Sequence, residues 1–214
     1  MRLAHLSRLI TLVPVVVGCS LLFGSPHAME LDELELELLP GDIVFQESRS
    51  SQSAALKAAT GSRYTHVGLV ERRGDAWFVL EAVQPVKRTP LAQWVDRGVG
   101  GHAVVKRVTD SPGAERLDAV LDTAAAWIGR PYDLPFLWSD DALYCSELVY
   151  KAYQRGAAMD LVPLRRHGDY ALTSPEVQAK ISQRYPEGIP VDEPVVAPSD
   201  LFDAPGLAVV GVVD

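Results

Sequence analysis

The sequence predicts an α+β domain built on an antiparallel sheet, and three observations carry that prediction. Short β-rich runs cluster in the first half of the 214 residues and helical patterns in the second, the order of an α+β chain rather than of alternating βαβ units. Two of the runs, "YTHVGLV" and "WFVLEAV", flank the polar segment "RRGD" as the arms of a hairpin do. Hydrophobic residues make up 48% and charged residues 22%, which supplies a core and argues against disorder. The length suits one substantial domain and not two large ones.

Residues 1–28 differ from the rest. Arg2 and Arg8 form a basic start, "LITLVPVVVG" follows as a short apolar stretch, and no acid occurs before Glu30. This is the layout of a secretory signal. Cleavage after Ala28 leaves a single domain over 29–214; the alternative is a lipoprotein signal ending before Cys19 in "VVGC", with Cys19 lipidated as an anchor. Either ending predicts export to the periplasm or envelope. Beyond residue 30 no apolar run is long enough to cross a bilayer.

The elements then follow in order. "MELDELELELL" is an acidic, leucine-rich lead-in, and "PGDIVFQ" is a turn and a strand over 42–46. "SSQSAALKAATG" reads as a helix opened by serine and closed by Gly61. The hairpin comes next. "TPLAQWVDRG" is a short helix capped by Thr89, with Pro90 at its first position and Gly98 at its end. "HAVVKRV" is a further strand, and "SPGAERLDAVLDTAAAWIG" a longer helix closed by Gly129. The loop "RPYDLPFLWSDDAL" leads into a helix beginning near Cys145, with Asp140 and Asp141 as its expected caps. "TSPEVQAKISQRY" is another helix, "PEGIPVDEPVVAPSDLF" runs extended, and "LAVVGVV" is a closing strand.

Removing residues 1–28 takes away two arginines and no acid, moving the net charge from −8 to about −10. An acidic chain with no basic stripe is a poor nucleic-acid binder. No cofactor motif is present: "GVGG" at 98–101 is too short for a phosphate loop and lacks the lysine. No two histidines have metal-site spacing, and His167 in "RRHGDY" reads as a surface-loop residue.

Whichever way the signal ends, Cys145 is the one thiol left unmodified in the mature chain. An unpaired cysteine in an exported domain calls for a specific explanation, because exposed thiols oxidise there. Cys145, Leu148, Val149 and Ala152 share a helical face, which fits plain packing. The first helical turn also favours an anion, which fits a nucleophile. His66 and Glu81 lie on the two hairpin strands, and a turn centred on residues 73 and 74 sets them opposite one another, about 4.5–5.5 Å apart at Cβ. A glutamate so placed orients an imidazole and leaves its other nitrogen free as a base. A thiol, a base and a group that orients the base are the parts of a covalent catalyst. Each residue also has a plain structural reading, His66 as a half-buried strand histidine and Glu81 as an edge-strand carboxylate reaching water.

In these motifs the chain resembles the YiiX/YaeF-like group, circularly permuted papain-like cysteine hydrolases of the NlpC superfamily. "PGDIVF", "THVGLV", "VLEAV", "GRPYD" and "YCSELVYKAY" occur in that group's order, and "PSDLFDAPGL" resembles its closing segment, so the likeness spans residues 38–208. The resemblance implies a permuted papain-like fold, with the sheet or half-barrel first in the chain and packed against the cysteine helix. It implies Cys145 as nucleophile, His66 as base and Glu81 as the orienting group, with Tyr144 and Tyr132 beside the substrate. Unpermuted relatives often carry aspartate where Tyr144 stands. Three functions follow as expectations: an amidase or endopeptidase acting on cell-envelope amides, cell-wall peptides among them; a lipid-directed acyltransferase or thioesterase; and a non-catalytic envelope-binding module.

Overall fold

A computed structural model describes residues 28–214. The expected signal, Cys19 included, lies outside the described residues except for Ala28.

Six strands form one antiparallel sheet in the order β4-β3-β2-β1-β5-β8. They are β1 (Ile43–Ser48), β2 (His66–Arg73), β3 (Ala76–Glu81), β4 (Lys87–Pro90), β5 (Gly98–Val108) and β8 (Leu207–Val213). Strand alternation sorts the side chains between the two faces. On one face Ile43, Phe45, Val67, Leu69 and Leu80 pack with Leu148, Val149 and Ala152 of α5 (Cys145–Ala157) and with Val120 and Leu121 of α4 (Ala114–Ala125). On the other, Val44, Val70, Val79, Ala103 and Val105 pack with Leu34 of α1 (Leu31–Glu37) and Leu91, Trp94 and Val95 of α3 (Leu91–Arg97). The chain joins the sheet at Met29, whose N–H donates to Val212 O at 2.8 Å. The two long helices sit close because α5 carries Gly156 where it meets α4: a Cβ there would stand 2.4 Å from Val120 N.

Beside this body, α2 (Ser53–Thr60) runs past α6 (Pro175–Arg184), with Gly61 closing α2 in the left-handed region at φ 70° and Ser174 capping α6. The short pair β6 (Arg165–Arg166) and β7 (Pro194–Val195) and the helix α7 (Pro198–Phe202) complete the chain.

Several expectations need correction. The hairpin turns at Gly74 and Asp75, with Arg73 paired to Ala76, one residue later than expected, so His66 is not directly opposite Glu81. Thr89 does not cap α3: it belongs to β4, and its hydroxyl donates to Glu81 Oε1 at 2.6 Å instead. Pro90 is the N-cap of that helix rather than its first residue. Asp140 and Asp141 do not open α5, whose N-cap is Tyr144; Asp140 pairs with Lys151 and Arg155. His167 is buried, at 5% exposure, in a 3₁₀ turn that tucks under the 185–193 loop and gives Pro190 O a partner at 3.2 Å. The proline-rich tail is not simply extended, since it contains β7 and α7.

Candidate active site

His66 is the first residue of β2, which puts it at an end of the sheet that helices from both faces reach. Glu81 is the last residue of β3. The register places Leu80 against Leu69, so the residue across from Glu81 is Gly68 and His66 is its diagonal neighbour. Diagonal positions on one face lie about 7–8 Å apart, within reach of long side chains. His66 Nε2 and Glu81 Oε2 meet at 2.6 Å. Gly68 helps keep the space between them open, because a Cβ there would already stand 2.4 Å from Val79 Cγ1 and 3.5 Å from Glu81 Cβ.

Glu81 is fully buried, a costly place for a carboxylate without partners. It has four. Besides His66 and Thr89, Trp94 Nε1 donates to Oε2 at 2.9 Å and Arg97 Nη2 donates to the same oxygen at 2.5 Å. Burial alone would raise the Glu81 pKa; the bonds from His66 and Arg97 outweigh it and hold the carboxyl at about 2. Trp94 also stacks on the His66 ring, centroids 5.8 Å apart and planes 25° from parallel. Thr89 reads from sequence only as a helix cap, and Trp94 and Arg97 carry no sequence signal for this role. Trp94 and Arg97 are three apart and share a helical face, but that spacing does not say what the face meets.

Cys145 opens α5 and is 3% exposed. The first turn of that helix is tied down by Glu147, which accepts the Tyr144 N–H at 3.3 Å and Lys151 Nζ at 2.6 Å. Burial would lower the His66 pKa; hydrogen bonding to the Cys145 sulfur and to Glu81 reverses this and raises it to about 9. Since Nε2 belongs to Glu81, Nδ1 is the nitrogen left for the sulfur. The arrangement favours an imidazolium held by the Glu81 carboxylate.

Two clefts meet here. The first runs between α2 and α6 to Cys145. Its walls are largely apolar: Ala55, Leu56, Val177, Ile181, Val195 and the rings of Phe136 and Tyr144. Phe136 sits at φ 53°, a strained conformation for a bulky residue, and its ring packs edge-on against Tyr144 at 5.2 Å. The second is lined by His66 and by arginine and hydroxyl side chains. Gln52 and Tyr132 line both. Gln52 Nε2 donates to Tyr132 OH at 2.9 Å, and Arg184 Nη2 in turn holds Gln52 Oε1 at 2.8 Å. Burial first, then negative charge on Cys145, pushes the Tyr132 phenol well above its ordinary pKa. It therefore keeps its proton, and with its oxygen lone pair occupied by Gln52 that proton is available to a neighbour. Tyr144 is also buried beside Cys145; its oxygen accepts the Val196 N–H at 3.3 Å. His102 lies away from both clefts, bonded to Tyr64 and Asp214.

The chain matches known proteins at this point. Residues 37–211 fit the sequence pattern of the family described as permuted papain-like amidase enzymes, YaeF/YiiX, C92. The uncharacterized protein YiiX of Escherichia coli K12 is 46% identical over 170 residues, 79% of this chain and 84% of its own length. The crystal structure of yiiX from Escherichia coli O157:H7 superposes with a TM-score of 0.78 at 44% identity, covering 81% of this chain and 96% of the other. That protein is described as a metalloprotein. Among the described residues here, no group of three or more His, Cys, Asp and Glu side chains could hold a metal ion, and Glu81 already has donors on both oxygens, so these residues do not fit a metal centre. Fold, chain order and sequence agree that the protein belongs to the permuted papain-like amidases of the YaeF/YiiX family.

Proposed function

We propose that the chain is a thiol amidase working through Cys145, His66 and Glu81, and that the acyl half of its substrate is apolar. The observation that carries the first part is the buried His66–Glu81 bond of 2.6 Å, with Cys145 close enough to the imidazole to raise its pKa. The Cys145 thiolate adds to the amide carbonyl. The carbonyl electron pair moves to oxygen, where the Cys145 N–H and the Tyr132 hydroxyl are the donors at hand; such a donor is worth on the order of 3 kcal/mol in the transition state. When the pair returns, the C–N bond breaks and the nitrogen leaves with the proton of His66 Nδ1. A water then gives a proton back to Nδ1 as its oxygen adds to the thioester carbon. The C–S bond breaks, releasing a carboxylic acid that gives its proton to solvent, and the thiolate and imidazolium are restored.

The walls of the apolar cleft support the second part. An apolar lining recovers free energy from hydrocarbon, not from the charged stem of a cell-wall peptide. An N-acyl amide with its chain between α2 and α6 satisfies both the amidase family and the cleft. The test is hydrolysis of N-dodecanoyl amides beside muropeptides, with Cys145→Ser as control. Release of amine from the acyl amides by the wild type alone is expected. Cleavage of muropeptides with the acyl amides untouched would refute the apolar reading, and turnover retained by Cys145→Ser would refute the nucleophile.

We also propose that the protein is exported, because the basic and apolar start of the chain has the layout of a signal. A lipid on Cys19 predicts partition into detergent that Cys19→Ala abolishes; a soluble product beginning at Met29 would overturn that anchor.

A further inference from the structure

The two clefts divide the catalytic pair between them. Cys145 lines the apolar cleft and not the other, while His66 lines the second cleft and not the first. The thiolate must meet the acyl carbon, and the imidazolium must protonate the departing nitrogen. The second cleft is therefore where the amine half of the substrate lies.

That cleft has a marked chemical bias. Arg49 and Arg97 both line it, and none of its lining residues is a carboxylate, although the chain as a whole carries a net charge of −8. Among the described residues Arg49 has no acidic partner. Arg97 spends one Nη2 bond on Glu81 and keeps 39% of its side chain exposed. Glu81 pairs with both His66 and Arg97, so its single negative charge leaves net positive charge on this wall, to which the unpaired Arg49 adds. The Ser48 oxygen accepts the Ser50 N–H, and its own proton is available on the same wall.

We infer that the second cleft is a subsite for a leaving amine that carries an anionic group, a carboxylate or a phosphate, held by Arg49 and the free N–H groups of Arg97. The inference rests on the Cys145–His66 reading above and names the other half of its substrate. A guanidinium presents paired N–H donors that match either anion in a bidentate fashion.

The test is made in the Cys145→Ala protein, so that it reads binding and does not depend on turnover. N-dodecanoylglycine is compared with N-dodecanoylglycinamide, which differs only in exchanging the carboxylate for a neutral amide. N-dodecanoylphosphoethanolamine is compared with N-dodecanoylethanolamine in the same way. Calorimetric Kd values on the order of tenfold tighter for at least one anionic partner are expected, with the pair showing the larger ratio naming the anion. Arg49→Gln should erase most of that preference, and Arg49→Lys should restore part of it as a point charge. Equal affinity within both pairs, or a preference that Arg49→Gln leaves intact, overturns the subsite. Failure of the wild type to hydrolyse any of these compounds while the anion preference holds would instead count against the amidase reading alone.

Discussion

Replacing Glu81 by glutamine should destabilise the protein by about 3 kcal/mol at neutral pH. Its partners hold the Glu81 carboxyl at about 2, against an ordinary 4.5. At about 1.4 kcal/mol per tenfold, that difference corresponds to about 3 kcal/mol of favourable interaction with the charged form. The His66 shift reports the same contact from the other side and is not added to it. Glutamine keeps the shape but brings two N–H donors into a pocket whose other groups, Trp94 Nε1, Arg97 Nη2 and His66 Nε2, are donors themselves. The hydroxyl of Thr89 can turn to accept; the tryptophan and arginine cannot. Because the Glu81 pKa is depressed on folding, its contribution is present above pH 4.5 and is lost as the pH falls through about 2. Urea unfolding of wild type and Glu81→Gln from pH 7 down to pH 3 is the assay. The gap should be near its full size at pH 7 and should narrow below pH 4.5. A gap under about 0.5 kcal/mol at pH 7, or one constant across this range, would mean that the four bonds do not hold a charged carboxylate.

His66→Ala should lower kcat on the order of 10³-fold, and the wild-type rate should fall as the pH rises through about 9, where His66 loses the proton it donates; a rate unchanged by the substitution refutes its role as acid and base. The stability that this raised pKa confers runs in the same direction, complete below pH 6.5 and lost through about 9. Tyr132→Phe removes a hydroxyl from the cleft that Cys145 lines while leaving the ring, and should lower kcat on the order of 10²-fold with little change in KM; a change confined to KM would make Tyr132 a binding residue only.

The sheet face shared by His66 and Glu81 was legible in the sequence although their pairing was not. Moving the turn from residues 73 and 74 to Gly74 and Asp75 shifts the cross-strand partner by two, and a shift of two returns a side chain to the same face. The meeting survived as a diagonal one for that reason. The clamp around Glu81 was hidden because it is tertiary. Thr89 reads as a helix cap by local chemistry, and only the pairing of β4 with β3, Val79 against Thr89, turns its hydroxyl to the glutamate. Asp140 likewise reads as a cap, yet Lys151 and Arg155, about two and three turns into α5, offer it charge instead of backbone N–H groups. His167 lies in a polar stretch that composition assigns to the surface; the loop returning through Pro190 covers it. The apolar cleft escaped notice because α2 and α6 are far apart in the chain, and neither helix shows alone that they face each other.

The central claim is that Cys145 is a thiolate nucleophile sustained by His66. The most direct measurement is the rate of iodoacetamide alkylation of Cys145 against pH, in wild type and in His66→Ala. A wild-type rate at pH 7 well above that of a free thiol is expected, falling on the order of tenfold or more once the imidazolium is removed. Two superimposable profiles, both rising only near the ordinary thiol region at about 8.5, would contradict it.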